Sequence, residues 1–149
     1  MPTEAFHDAR RPIEVLIVSP TEEDQEYLRL LFPRPVWRVL SVGSVRDAAK
    51  LLEARPIGVV LAEHDLEDGT WSDLLDLAAS PPWSPPVVVV SRHADEAMWA
   101  RVLNLGGYDV LMKPFDATEV RRVVGMAVRR RISRSPSPET PIPDMIGAY

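Results

Sequence analysis

Residues 87–115 read VVVVSRHADEAMWARVLNLGGYDVLMKPF. The unbroken β-branched run Val87 to Val90 is what a strand buried on both faces looks like. From Asp95 to Leu105 the stretch is helical in character, and Gly106-Gly107 supplies the stop, since glycine readily takes the left-handed conformation that ends many helices. Asp109 to Met112 then makes another strand, closed by Lys113-Pro114. Two strands joined through a helix need a crossover connection and therefore run parallel.

Upstream, the alternation repeats. Glu14 to Val18 is a short apolar strand. Ser19-Pro20-Thr21-Glu22 has the form of a helix start, with Ser19 as N-cap, Pro20 at the first helical position and Glu22 three residues after the cap. This helix is expected to run to about Phe32, where Pro33 and Pro35 stop it. Val36 to Val42 reads as the second strand. Ser44 caps a helix whose apolar positions Val45, Ala48, Ala49 and Leu52 follow i, i+3, i+4, i+7. Ile57 to Ala62 is the third strand, followed by a polar loop from Glu63 to Gly69 and a short helix carrying Leu74, Leu75 and Leu77. Downstream, Asp116 and Glu119 begin a last helix with Val120, Val123, Val124, Ala127 and Val128 on one face and Arg121, Arg122, Arg129 and Arg130 elsewhere. Five strands alternating with helices through right-handed crossovers predict an α/β fold, a doubly wound five-stranded parallel sheet. Such folds place their site at the carboxyl ends of the strands. That edge holds Ser19, Glu63, Ser91 and Lys113.

The chain of 149 residues suits one domain. Residues 1–12 read as a flexible arm, 13–132 as the domain, and 133–149 as a Ser/Pro-rich tail without periodicity, expected to be disordered. A net charge of −5 argues against a general nucleic-acid binder. The arginines at 121, 122, 129, 130, 131 and 134 form a basic end, but no base-stacking aromatics are interleaved with them. A solvated helix face is their plain reading. With no cysteine there is neither a disulfide nor a thiolate metal site. No apolar run approaches the ~18 residues of a membrane span, and no signal-peptide core is present. A soluble, cytoplasmic protein without a membrane partner is the expectation.

The run ending in Ser91, the Lys113-Pro114 that closes the last strand, and the loop Asp65-Leu66-Glu67-Asp68-Gly69 together resemble the receiver domain of two-component response regulators. The resemblance covers about residues 13–131. It implies a flavodoxin-like fold, a pocket containing Ser91, Lys113 and Pro114, and a cis bond before Pro114. Two departures stand out. Glu63 occupies the place of the family's phosphate-accepting Asp, and Ser19-Pro20 the place of its Mg²⁺-holding acidic pair. The extra methylene of Glu misplaces the attacking oxygen, and an error of about 1 Å can cost roughly a hundredfold. Pro20 offers no ligand to a cation that wants hard oxygen donors.

A degenerate, stand-alone receiver follows as the expectation. It is not an enzyme, has no cofactor, binds Mg²⁺ weakly or not at all, and acts by protein–protein interaction largely independently of phosphorylation. Its partner would be a signalling protein or histidine kinase, or a second copy in a homodimer. Glu63 is either a built-in mimic of the phosphorylated acceptor or a drifted acid, paired with Lys113 in both cases. The alternatives are a receiver weakly phosphorylated at Glu63 and a flavin- or nucleotide-binding domain. The loop Ser-Pro-Thr-Glu-Glu-Asp speaks against the latter, because a phosphate cradle wants glycine and free N–H donors. Asp65 points away from the acceptor position. Glu22, Glu23 and Asp24 read as acids favoured at a helix N-terminus rather than as relocated metal ligands. In helix 95–105, Met98, Val102 and Leu105 should face the core. Trp99 and Leu103, with Val110 and flanked by Arg121 or Arg122, should form an interaction patch. The alternative for Trp99 is a place at the edge of the core.

Overall fold

The structure is a computed structural model and describes residues 11–80 and 84–134. The arm up to residue 10 and the tail from residue 135 lie outside the described residues. The elements, in chain order, are β1 (Ile13–Val18), α1 (Glu22–Leu31), β2 (Trp37–Val42), α2 (Val45–Ala54), β3 (Val59–Glu63), β4 (Asp65–Leu66), β5 (Gly69–Thr70), α3 (Trp71–Ala79), β6 (Val87–Ser91), α4 (Glu96–Asn104), β7 (Asp109–Met112) and α5 (Ala117–Arg134). Five of the strands form one parallel sheet in the order β2-β1-β3-β6-β7.

Alternate residues of each central strand feed opposite sides, as the two-residue period of a strand requires. Val15, Ile17, Val59, Leu61, Val88, Val90 and Leu111 meet Leu28 and Leu31 of α1 and Val120, Val123, Val124 and Ala127 of α5. Leu16, Val18, Val60, Ala62, Val87 and Val89 meet Ala48 and Leu52 of α2, Trp71 and Leu74 of α3, and Val102 of α4. The continuous apolar runs in the sequence are thus strands covered on both faces. Each fully buried Val or Leu contributes about 1.5–3 kcal/mol relative to exposure.

Several boundaries differ from the sequence reading, each for a physical reason. Ser19 does not cap the first helix, and Pro20 is not its first residue. The Ser19 N–H is still bonded to Val42 O at 3.0 Å, in the β1–β2 ladder, so the chain turns only at Thr21, which holds the N-cap position. The third strand starts two residues later than expected, and Glu63 is its last residue. The loop after it contains the small antiparallel pair β4–β5. Leu105 was expected in the core but is 58% exposed. Helix α4 ends at Asn104 and Leu105 is its C-cap, so the helical spacing no longer aims that side chain inward. The last helix continues to Arg134, two residues past the expected domain end. Gly106 takes φ +106°, the left-handed conformation that terminates α4. A Cβ on Gly107 would collide with Val102 Cγ1.

The N-terminus of α2 shows how the loop after β3 is held. The Ser44 hydroxyl accepts from Asp47 N at 3.1 Å. The Asp68 carboxylate, on the β4–β5 turn, accepts from Val45 N at 2.8 Å and Arg46 N at 3.0 Å. Three N–H groups that a helix start leaves without partners are thereby satisfied. The bonds from Val45 and then Arg46 hold the Asp68 pKa below the ordinary carboxylate value. A depressed folded-state pKa contributes stability that is present above the unfolded pKa of about 3.9 and is lost as pH falls through the lower folded value. Asp68→Ala should therefore be less stable than wild type at neutral pH, and the gap should close in acid. Urea melts of both proteins at pH ~7 and ~2.5 check this sign.

Among the described residues no helix is long and apolar enough to cross a membrane.

Candidate functional site

The sheet topology brings the ends of β1, β3, β6 and β7 together. Glu63 ends β3, and Lys113 follows β7, where its N–H continues the ladder to Ser91 O at 3.0 Å. The Lys113-Pro114 bond is cis, as the resemblance implied. Lys113 Nζ lies 2.7 Å from Glu63 Oε1 and 2.6 Å from Asp24 Oδ2. The lysine side chain is only 9% exposed, against 15% for Glu63 and 18% for Asp24. One ammonium therefore joins carboxylates from α1 and β3. Burial alone would push the Lys113 pKa down, but the hydrogen bonds and charges of Asp24 and Glu63 outweigh it and hold the pKa above the ordinary lysine value.

Asp24 is the residue that sequence reasoning placed elsewhere. It was assigned with Glu22 and Glu23 to the helix N-terminus, but its carboxylate is part of the site. With Thr21 at the N-cap, Asp24 is the third residue of α1. Helical side chains lean toward the N-terminus, which carries this carboxylate over the edge of the sheet. Thr21 Oγ1 donates to the same Asp24 Oδ2 at 3.0 Å. Thr21 Oγ1 also lies 3.1 Å from Ser19 Oγ, and Thr21 N donates to Ser19 Oγ at 3.3 Å. Ser19, buried at 4% exposure, thus links β1 to the cluster through Thr21. A correctly placed cap was the one sequence signal that could have pointed to Asp24.

The other expected site residues are distributed as follows. Ser91 is buried at the edge, but its hydroxyl accepts from His93 N at 3.0 Å, within its own loop. Pro20 and Pro114 are exposed. Asp65 is 84% exposed and lies 3.0 Å from His64 Nδ1, away from Lys113. Beside the cluster is a pocket lined by Ser19, Asp24, Leu28, Glu63, Val90 and Phe115, among others, with a volume of about 10 Å³. That is room for about one water molecule, whereas drug-sized ligands occupy clefts of ~300 Å³ or more. No group of three or more His, Asp or Glu able to hold a metal occurs among the described residues.

The expected interaction patch lies at the β7 edge of the sheet. Trp99 is 48% exposed, and its indole N–H donates to Asp109 Oδ1 at 3.2 Å, so it does not fill the core edge. Leu103 is half-buried beside it. Val110 is turned under α4, half-buried against the core, and contributes less surface than expected. Met112, 59% exposed, contributes apolar surface on the same strand instead. Arg121 and Arg122 are both exposed on α5. Arg122 pairs with Glu119 at 2.9 Å. That bond and charge raise the Arg122 pKa, with smaller contributions from Asp109 and Tyr108.

The chain matches the response regulator receiver domain over residues 15–125. It is 27% identical over 118 residues to the response regulator protein PilR of Pseudomonas aeruginosa, covering 79% of this chain and 26% of that one. It is 26% identical over 121 residues to the two-component response regulator ORR1 of Oryza sativa, covering 73% of this chain and 52% of that one. The chain thus spans about a quarter to a half of these curated relatives. Among solved structures, the signal receiver domain of a LuxO repressor protein from Vibrio parahaemolyticus superposes with a TM-score of 0.75 at 19% identity, over 80% of this chain and 92% of that one. The receiver domain of an HD domain-containing protein from Pseudomonas fluorescens gives 0.75 at 22% identity, over 83% and 100%. These likenesses show a shared fold, and the match over residues 15–125 shows the lineage: this chain belongs to the response-regulator receiver domain family of two-component signalling.

Proposed function

We propose that this receiver domain works as a binding module rather than an enzyme, recognising a signalling protein or kinase largely independently of phosphorylation. The observation that carries this reading is the Asp24–Lys113–Glu63 bridge. A carboxylate that accepts a phosphoryl group must present a free oxygen in line with the donor; Lys113 holds Glu63 Oε1 at 2.7 Å, which leaves Oε2 alone, on a side chain one methylene longer than that of Asp. Lys113 in turn already has two carboxylates and little charge to spare for an incoming anion.

The bridge also bears on Mg²⁺. That ion demands near-octahedral oxygen ligands at about 2.0–2.1 Å and usually one or two carboxylates. Lys113 engages one oxygen of each carboxylate at this edge, so its ammonium would stand beside a bound cation and repel it, and Pro20 supplies no ligand. The residues present do not fit the ion. The helix start at Thr21, Glu22, Glu23 and Asp24, without glycine and rich in carboxylates, speaks against a flavin or nucleotide phosphate. The half-exposed Trp99, anchored by Asp109, is a surface of the kind that binds proteins, since tryptophan and arginine are frequent interface anchors.

Restoring chemistry should take more than one change. Glu63→Asp alone should not gain label from a small-molecule phosphodonor, because Ser19 and Pro20 still offer no acidic pair. Adding Ser19→Asp and Pro20→Asp should raise labelling well above the single variant. Intact-mass spectrometry after a rapid quench reads both. Efficient labelling of the single variant would mean that the Asp24–Lys113 pair does not block the site, and the proposal would fall.

A further inference from the structure

We propose that this chain's own proline-rich segment, residues 135–146, folds back along the β7 edge of the sheet and covers the Trp99 face in cis, a proposal that rests on the reading of that face as a binding surface. A partner must then displace the segment to bind. β7 is an outer strand of the sheet, with α4 on one side of it and α5 on the other. Trp99, Leu105, Met112 and Met126 are all exposed around this edge. Trp99 donates to Asp109 of β7. On α5, Arg122, Met126 and Arg130 follow at i, i+4 and i+8, which puts them on one face of the helix. Arg122 Nη1 lies 3.6 Å from Met126 Sδ, and the Arg130 guanidinium lies 5.5 Å from the ring centroid of Tyr108, just before β7. That face of α5 is therefore turned toward β7, and the apolar groups of the two helices border one groove.

The point where the chain leaves α5 makes this groove reachable. Each of α4 and α5 follows a strand of one parallel sheet and returns against it, so both end at the amino edge, where β7 begins. Arg130 beside Tyr108 marks that place. Arg134, the last residue of α5, stands about 6 Å of helix beyond Arg130. From Tyr108 to Met112 the strand rises about 13 Å. The groove therefore spans about 20 Å from the end of α5. Residues 135–146 read SPSPETPIPDMI. A polyproline chain rises about 3.1 Å per residue, so Ile142 is reached after about 25 Å and Ile146 after about 37 Å. That length covers the groove and the reversal of direction before it.

Segment and groove match in chemistry. Proline-rich chains dock in aromatic-lined grooves because they are stiff before binding and lose little entropy. Pro136, Pro138, Pro141 and Pro143 supply the stiffness, and Trp99 and Tyr108 supply the rings. The hydrogen bond to Asp109 holds the Trp99 indole in place before docking. Ile142, Met145 and Ile146 bring apolar side chains to a surface that otherwise leaves Leu105 and Met126 in water. Residues 135–146 carry Glu139 and Asp144 and no lysine or arginine. The groove carries Arg122 and Arg130, both exposed. Its acids Asp109 and Glu119 are already bonded to Trp99 and Arg122. Arg122 and Arg130 are about 12 Å apart along the helix, and Glu139 and Asp144 about 16 Å apart along a polyproline chain, a difference that the side chains span. The reversed direction sets Glu139 near Arg130 and Asp144 near Arg122. Because the segment is tethered beside the groove, its effective concentration is of millimolar order and weak contacts suffice. The covered fraction lowers the apparent affinity for a partner in proportion.

The chain has no cysteine, so Ala148→Cys gives a single site for a nitroxide label. In the full chain, backbone amides of residues 99–112 and 122–130 should lose most of their NMR intensity while the label is oxidised, and amides of α2 should keep theirs. A mixture of nitroxide-bearing chain with unlabelled, isotope-enriched chain should show no such loss, because the docking is in cis. Glu139→Lys with Asp144→Lys should restore most of the intensity, and ~0.5 M salt should restore part of it, since exposed ion pairs are screened. Trp99→Ala should restore it as well, whereas Leu30→Ala on the outer side of α1 should not. Full intensity in the oxidised wild type, an equal loss in the mixed sample, or a loss indifferent to both the charge reversal and Trp99→Ala would each overturn the proposal. The readout needs no partner. Docking that is present while partner binding survives Trp99→Ala refutes only the recognition role of the face, and docking that is absent while Trp99→Ala abolishes partner binding refutes only the cover.

Discussion

Lys113→Met is expected to lower the stability of the domain by about 3 kcal/mol, because removing one member of a buried charge cluster leaves the others without compensation. Asp24 and Glu63 would then face each other across a site in which neither side chain is more than 18% exposed. For a domain of this size the change corresponds to a fall in Tm of roughly 10 °C. Removing all three charges, as Lys113→Met with Asp24→Asn and Glu63→Gln, should recover much of the loss, since a desolvated network can be replaced at little net cost when no member is left unpaired. The pH dependence has a definite sign. The raised Lys113 pKa contributes stability that is fully present below the unfolded lysine value of about 10.4 and is lost as pH climbs through the higher folded value. The gap between wild type and Lys113→Met should therefore be wide at neutral pH and close in strong alkali. Thermal and urea melts across pH measure it.

Trp71→Ala should cost about 3–5 kcal/mol, the range for deleting a large buried aromatic, whereas Trp99→Ala should leave Tm almost unchanged. The two tryptophans differ in surroundings. Trp71 opens α3, is 2% exposed, and packs among Leu74, Ala78 and the strand residues of its core cluster, with the Arg101 guanidinium 5.7 Å from its ring centroid. Trp99 projects from α4 at 48% exposure and is tied down by the Asp109 carboxylate. If Trp99 serves recognition, its alanine variant should lose partner binding while keeping its melt. Differential scanning calorimetry on both variants, beside a binding assay on Trp99→Ala, separates packing from recognition.

How much of this was legible in the sequence depended on distance along the chain. The β-branched run at 87–90 announced a doubly covered strand because side-chain chemistry alone distinguishes it. The pairing of Glu63 with Lys113 was readable once the strand order was inferred, since parallel strands bring their carboxyl ends to one edge. Asp24 was not readable in the same way. Its contact with Lys113 spans 89 positions, and it also hinged on the helix starting after Thr21 rather than at Ser19. The strand ladder to Val42 decided that start, and no local propensity shows it. Ser91 was placed on the correct edge, but the turn its hydroxyl makes with His93 is a rotamer choice that spacing does not report. Leu105 followed the helical period to the end of α4, where the helix stopped one residue short and turned it outward.

The central claim is that the site is closed to phosphoryl transfer by its own charges, and one measurement tests it most directly. The wild-type chain is incubated with millimolar Mg²⁺ and a small-molecule phosphodonor, quenched rapidly, and weighed intact, with a phosphorylatable receiver as control. The expected result is an unchanged mass while the control is labelled. A phosphoryl adduct mapping to Glu63 would contradict the account, because it would show that the Asp24–Lys113–Glu63 bridge leaves the site open to a donor.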